Sequence, residues 1–215
     1  MNQEIEVRGI VLDTSMLNEY DRRMVVLTTE LGRITVFANG ARRPGNRFTA
    51  ASQRFVMGTF KVRMGRNSYT LVKADIEKDF LEMTRDIEIM CYASYFCELM
   101  GYYTREGISA KDELNLLYLT FLQLITGKHP VKLVRAVFEC KLLDIEGEGM
   151  DTSKEKLSPS ASYAISFILS RKISEVYGFS LNSSVADEVF SSVIAYTKKH
   201  CDRAFKSLDI LETLG

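Results

Sequence analysis

Arginine carries a planar guanidinium that donates in a fixed fork and stays charged at any biological pH, which suits it to two-pronged contacts with phosphate. Residues 39–48 read NGARRPGNRF, placing Arg42, Arg43 and Arg47 among two glycines, two asparagines and a proline. The stretch is too polar for a core strand and too rich in glycine and proline for a helix, so it reads as a loop after the apolar run ITVFA. More cations lie close by: Arg33 in the turn before that run, Lys61 and Arg63 on a later strand, and Arg66 in the turn beyond. Residues two apart on a strand share a face, so Lys61 and Arg63 are expected on one basic face opposite Phe60 and Val62. The chemistry open to such a set is the binding of anions, above all a polymer that offers phosphates in series. The competing reading of the loop is a solvated hairpin tip. Phe37, Phe48, Phe55, Phe60 and Tyr69 could stack on bases, although the in–out alternation of the strands assigns several of them to the core.

Covalent and metal chemistry have less to work with. The phosphate-cradling, metalloprotease and nucleophile-elbow motifs are all absent from the sequence. Glu4/Glu6 and Asp86/Glu88 are carboxylates two apart with no neighbouring histidine, and read as solvated surface. Cys91, Cys97, Cys140 and Cys201 form no close pair of the kind that sets a tetrahedral zinc site, so they read as reduced, buried thiols. His200 follows Lys198 and Lys199 near a helix end, where cations favour the helix dipole. No catalytic residue, metal or cofactor is expected.

The elements that must position the arginines change character once along the chain. Up to residue 75 the sequence gives five short strand candidates: IEVRGIVLD, MVVLTT, RITVFA, RFVMGTFKVRM and SYTLVKAD. Glu30-Leu31-Gly32 makes a hairpin of the second and third, and Gly65-Arg66-Asn67 one of the last two. FTAASQ, 48–53, is expected to form a short helical turn. Five strands with no long helix between them point to a small closed barrel. Beyond residue 75 the periodicity becomes helical. Ile87, Cys91, Tyr95, Leu99 and Tyr103 fall on one face of a first helix, and Ser109 is a candidate N-cap for a second that Gly127 ends. Pro130 starts a third, with Val131, Val134, Phe138, Leu142 and Ile145 on one face and Lys132, Arg135 and Glu139 on another. GEGMDTSKEK is a polar loop, Ser158-Pro159 opens a fourth helix, and Ser184 with Asp187 has the spacing of a capping box for a fifth. Met90, Met100, Tyr92, Tyr95, Tyr102 and Tyr103 read as core of this bundle, the alternative being an adaptable apolar surface. The fold expected is α+β in two domains: a five-stranded barrel over 1–77 and an all-α bundle over 78–215.

The chain carries 28 Lys and Arg and 28 Asp and Glu, but unevenly. Residues 1–75 hold twelve cations against seven carboxylates, and ten of the twelve are arginine. A basic barrel followed by an acidic bundle favours an anionic partner for the first. No apolar run reaches the roughly 18–20 residues of a membrane span, and no leader pattern opens the chain, so the expected location is the cytoplasm.

The order of motifs resembles the RecO family of bacterial DNA repair proteins. Gly9-Ile10-Val11-Leu12, then Thr29-Glu30-Leu31-Gly32-Arg33, then Gly40-Ala41-Arg42-Arg43-Pro44 follow the family's N-terminal pattern, and Lys206-Ser207-Leu208 is similar to its C-terminal ending. The resemblance implies an oligonucleotide-binding (OB-fold) β-barrel followed by a helical domain, and a recombination mediator that binds single- and double-stranded DNA and anneals complementary strands. It also implies help in loading recombinase on strands coated with single-strand-binding protein. RecR and the acidic C-terminal tail of that protein are the implied protein partners, and no catalytic residue is implied. Arg33, Arg42, Arg43, Arg47, Lys61, Arg63 and Arg66 are the expected nucleic-acid contacts. Lys132 and Arg135, on a shared polar helix face, are expected to meet the acidic tail. Many members carry a four-cysteine zinc module where this chain has only the cysteine-free loop 146–157, so no zinc is expected here. Two other classes stay open: a protein-binding adaptor with no nucleic-acid role, and a divergent nuclease, which would need clustered carboxylates.

Overall fold

The computed structural model describes residues 3–66 and 68–214. Five strands, β1 (Glu4–Met16), β2 (Arg22–Thr28), β3 (Gly32–Ala38), β4 (Val56–Met64) and β5 (Tyr69–Asp79), close a barrel in the order β1-β2-β3-β5-β4. The expected turn at 65–67 includes Asn67, which lies outside the described residues. All neighbours are antiparallel except β3 and β5, which pair in parallel through Val36–Tyr69 and Phe37–Thr70. That closed five-stranded path is the OB-fold arrangement, and with the helices that follow the fold is α+β.

Alternation along each strand sends one set of side chains inward. Val7, Val11, Met24, Val26, Ile34, Val36, Phe60, Val62 and Leu71 fill the barrel, together with Ala41, Phe48 and Ala51 from the β3–β4 connection. The arginine-rich loop is therefore anchored from within: its polar residues are outside while Ala41 and Phe48, on either side of them, are core. Residues 48–53 form successive turns, with Ser52 N–H donating to the Phe48 carbonyl at 3.0 Å, and do not extend into a helix. β1 serves two neighbours at once, with Gly9 opposite both Thr28 and Gly58. It bends at a bulge between Val11 and Asp13, where the chain turns from one partner to the other.

Among the described residues six α-helices follow, one more than the sequence periodicity suggests: α1 (Ile87–Tyr103), α2 (Lys111–Thr126), α3 (Val131–Ile145), α4 (Pro159–Ser170), α5 (Ser183–His200) and α6 (Lys206–Leu214). The caps explain the boundaries. Ser158 accepts from the Ala161 N–H with Pro159 in the first turn, as the sequence predicts. α5 starts earlier than its Ser184 signal, because Asn182 accepts from the Val185 N–H. Ser109 is not the cap of α2; its hydroxyl donates to the Thr29 carbonyl at 2.8 Å. Pro130 stands one position outside α3, as the residue that precedes it. No helix or strand lies between Ile145 and Pro159.

The chain divides into two compact units, residues 1–87 with 97–114, and 88–96 with 115–215. In the second unit α3 lies against α4 and α5. Every residue from Ala136 to Leu143 is buried, Glu139 and Lys141 included, so α3 is a central helix rather than an amphipathic one. α1 is likewise buried from Cys91 to Cys97, while Ile87, placed on the apolar face by spacing, is 54% exposed. Tyr92, Tyr95 and Met100 are core, and Tyr102 stays at the surface. All four cysteines are buried free thiols, and burial pushes Cys97 and Cys140 up to about 12.

Candidate nucleic-acid interface

Two loops of the barrel are tied into one structure. The β1–β2 loop, 17–21, closes on itself through Leu17 N–H to the Asp21 carbonyl at 3.2 Å. Asn18 Oδ1 accepts from the backbone N–H groups of Tyr20 and Asp21, fixing the turn. The β3–β4 loop then docks on it. Arg42 N–H donates to the Tyr20 carbonyl at 2.9 Å, and Arg42 Nη1 donates to the carbonyls of Asn18 and Glu19 at 3.0 Å each. Gly40 N–H donates to Asp21 Oδ1 at 2.7 Å; this bond, the Asn18 amide and Arg43 hold the Asp21 carboxyl below its usual range. Arg43 lies 4.7 Å above the Tyr20 ring.

Arg42 and Arg43 are thus brought together over the β1–β2 loop. Arg47 goes elsewhere: it leans over Phe48 at 4.7 Å and donates to the Val72 carbonyl on β5 at 3.0 Å. All three are exposed, and their partners are carbonyls and aromatic rings. Among the described residues none of the three makes an ion pair within 4 Å; Arg43 acts on the Asp21 carboxylate only at longer range.

The strand cations differ. Lys61 and Arg63 do share the outward face, with Phe60 and Val62 buried behind them. Glu4, opposite Arg63 across the β1–β4 pair, meets both at 2.9 Å. Those two partners hold the Glu4 carboxyl below its usual range. Arg8 pairs with Glu77 at 2.8 Å and Lys73 with Asp75 at 2.6 Å on the neighbouring rows. The outer face of β1, β4 and β5 is an ion-pair ladder, not the purely basic face the spacing suggests. Strand spacing reveals which residues share a face but not which carboxylates the neighbouring strand puts beside them.

Arg33 is engaged as well. Its Nε donates to the Thr104 carbonyl at 3.0 Å and its N–H to the Arg105 carbonyl at 3.3 Å. Arg66 is exposed in the connection after β4. Tyr20 joins the set although the arginine pattern does not single it out. The signal for it in the sequence is its place in the polar stretch LNEYD between two strands, a loop position of the kind that carries function.

In the helical unit, Lys132 and Arg135 are not equivalent. Lys132 is exposed, with Nζ 5.9 Å from the Phe190 ring centre. The Arg135 side chain is only 12% exposed; it pairs with the fully buried Glu139 at 2.7 Å and covers the Tyr95 and Phe190 rings. His200 stacks on Tyr196 at 4.3 Å in the last turn of α5. Among the described residues no group of three or more His, Cys, Asp and Glu side chains is placed to hold a metal ion, and no helix is long and apolar enough to cross a membrane.

A five-stranded OB-type barrel with exposed cationic loops, followed by a helical unit, defines the class: an α+β protein built on an oligonucleotide-binding fold. The chain belongs to the recombination protein O family: the family model for the N terminal of recombination protein O matches residues 1–80, and that for its C terminal matches residues 84–156. It is 25% identical over 238 residues to the DNA repair protein RecO of Clostridium acetobutylicum, covering 96% of both chains. The corresponding protein of Symbiobacterium thermophilum is 29% identical over 250 residues, covering 97% of this chain and 96% of its own. That of Acetivibrio thermocellus is 25% identical over 245 residues, with 98% and 97% covered. This is a family of DNA repair proteins.

Proposed function

We propose that this chain is a non-catalytic recombination mediator that binds single- and double-stranded DNA through the loops of its barrel. In this role it promotes annealing of complementary strands and loading of recombinase on strands coated with single-strand-binding protein, working with RecR. The observation that carries the reading is the state of Arg42 and Arg43. Both are exposed and fixed in place by carbonyls and a ring, and among the described residues neither makes an ion pair within 4 Å. Preorganised guanidinium groups of this kind bind phosphate without first breaking an ion pair. In contrast, Lys61 and Arg63 would have to release Glu4.

The test is fluorescence anisotropy of labelled single-stranded DNA over a range of salt. Substituting both Arg42→Ala and Arg43→Ala is expected to weaken binding and to flatten the slope of log K against log salt by about 1.4, two phosphate contacts at roughly 0.7 each. Lys61→Ala is expected to change the slope less, since Glu4 already neutralises it. Unchanged affinity and slope in the double variant would remove the loop from the interface. Of the three cations of α3, Lys132 is the accessible one for an acidic tail peptide, beside the apolar Phe190 ring.

A further inference from the structure

Tyr20 stands out in the barrel surface because it is an aromatic ring held ready in a rigid loop. The residue keeps 41% of its surface exposed, and its neighbours Met16 and Leu17 keep 71% and 51%. Large apolar groups left in water on a small fold are unusual when they adjoin one another, and mark a surface that meets a partner. Flexibility does not account for this strip. Leu17 N–H, Tyr20 N–H and Asp21 N–H are all hydrogen-bonded within the loop, and the Tyr20 carbonyl accepts from Arg42. The ring's backbone is thus fixed before any partner arrives, which lowers the ordering cost of binding. What borders the strip decides the partner. Arg43 is stacked on the ring and Arg42 is anchored under it, so an occupant must combine flat apolar surface with negative charge. An unpaired nucleotide does so, with a base for the ring and a phosphate for the guanidinium.

We propose that Tyr20, stacked with Arg43, is a base-stacking platform that gives the barrel a preference for unpaired over paired strands, with Met16 and Leu17 as its apolar border. The proposal rests on the DNA-binding reading above and adds to it the residue that distinguishes single strands. In a duplex the faces of the bases are already stacked on each other, so the platform has nothing to hold, while the arginines serve both forms alike.

The experiment compares the full chain with its Tyr20→Ala and Tyr20→Phe variants on three probes: single-stranded oligothymidylate, its abasic counterpart with the same phosphates, and a blunt duplex. Tyr20→Ala is expected to weaken oligothymidylate binding about 5- to 150-fold, the range of one stacked base. Duplex binding should fall less, by only what Arg43 loses with its supporting ring, and Tyr20→Phe, which keeps that ring, should bind like the unaltered chain. On the abasic probe Tyr20→Ala should lose no more than it does on the duplex. If Tyr20→Ala loses as much on the duplex or the abasic probe, or if Tyr20→Phe is as weak as Tyr20→Ala, the platform is overturned. If Tyr20→Ala binds all three probes normally, the platform is likewise overturned, leaving the strip to a protein partner while the arginine reading survives. If the unaltered chain binds none of the probes, the DNA-binding reading itself fails and the platform with it.

Discussion

At Gly32 the backbone adopts φ +66°, and a Cβ added there would run into the carbonyl oxygens of Arg105 and Ile108. The crowding has a purpose: Gly107 N–H reaches the Leu31 carbonyl at 2.9 Å and Arg33 reaches the carbonyls of Thr104 and Arg105, so the hairpin turn is clasped by the segment after α1. Gly32→Ala therefore meets two penalties, the left-handed conformation and a backbone collision, and is expected to destabilise by about 2–4 kcal/mol. Gly45 sits at φ +70° with nothing within 4 Å of its Cβ position, so Gly45→Ala meets only the first, about 1–2 kcal/mol. Thermal unfolding of the two variants checks this; equal losses would mean that the close approach contributes nothing. The same clasp engages the Arg33 guanidinium, whose Nε donates to the Thr104 carbonyl. The sequence points Arg33 at the anion because its charge and turn position are visible there. Its partner, 71 residues further on, is not. Arg42 and Arg43 are legible because their loop is local and needs no distant partner to be recognised as one.

Elements are legible wherever periodicity has one partner surface, and not where it has several. The alternation in β2, β3 and β4 marks the barrel strands to within a residue or two, since each has one inner and one outer face. In α3 the same reasoning separates an apolar face from a polar one, but α4 and α5 both pack on this helix and bury the polar face as well. Arg135, Glu139 and Tyr95 then form a buried group: Glu139 Oε1 accepts from Arg135 Nε at 2.7 Å and from the Tyr95 hydroxyl at 2.6 Å. Burial, followed by the Glu139 charge, drives the Tyr95 hydroxyl well above its usual range, so it remains a proton donor. Glu139 Oε2 is buried with no hydrogen-bond partner among the described residues. Removing the cation alone strands a carboxylate in the interior. Arg135→Ala is expected to destabilise by about 3–5 kcal/mol, and Arg135→Met with Glu139→Leu to recover most of that loss, read as denaturation midpoints. A double variant no more stable than Arg135→Ala would show that the charge pair is not the source. Lys132→Glu, on the exposed side of the same helix, should leave the midpoint unchanged and weaken any binding of an acidic tail peptide.

For the whole molecule, strand periodicity and the compact units differ on where the barrel's support ends. The strands finish at Asp79, and sequence periodicity changes at about the same place. The first compact unit nevertheless includes residues 97–114, far beyond the last strand. No composition or spacing rule signals this, because every bond of the link ends on a backbone carbonyl far away in the chain, whatever residue carries it. Four bonds tie that segment to the turn 29–33: Gly107 N–H to Leu31, Arg33 N–H to Arg105, Arg33 Nε to Thr104, and the Ser109 hydroxyl to Thr29. At a net 0.5–1.5 kcal/mol each they contribute about 2–6 kcal/mol, a large part of the roughly 5–15 kcal/mol that holds a domain folded. A fragment of residues 1–80 should therefore unfold at a lower temperature than the full chain and exchange its Arg33 amide faster, while the barrel strands exchange last in both. Matching unfolding temperatures and equal Arg33 protection would show that the barrel does not depend on the segment after α1. If the expected loss is seen, weak DNA binding by the fragment reports its stability and not its interface, so the salt titrations of Arg42 and Arg43 belong on the full chain.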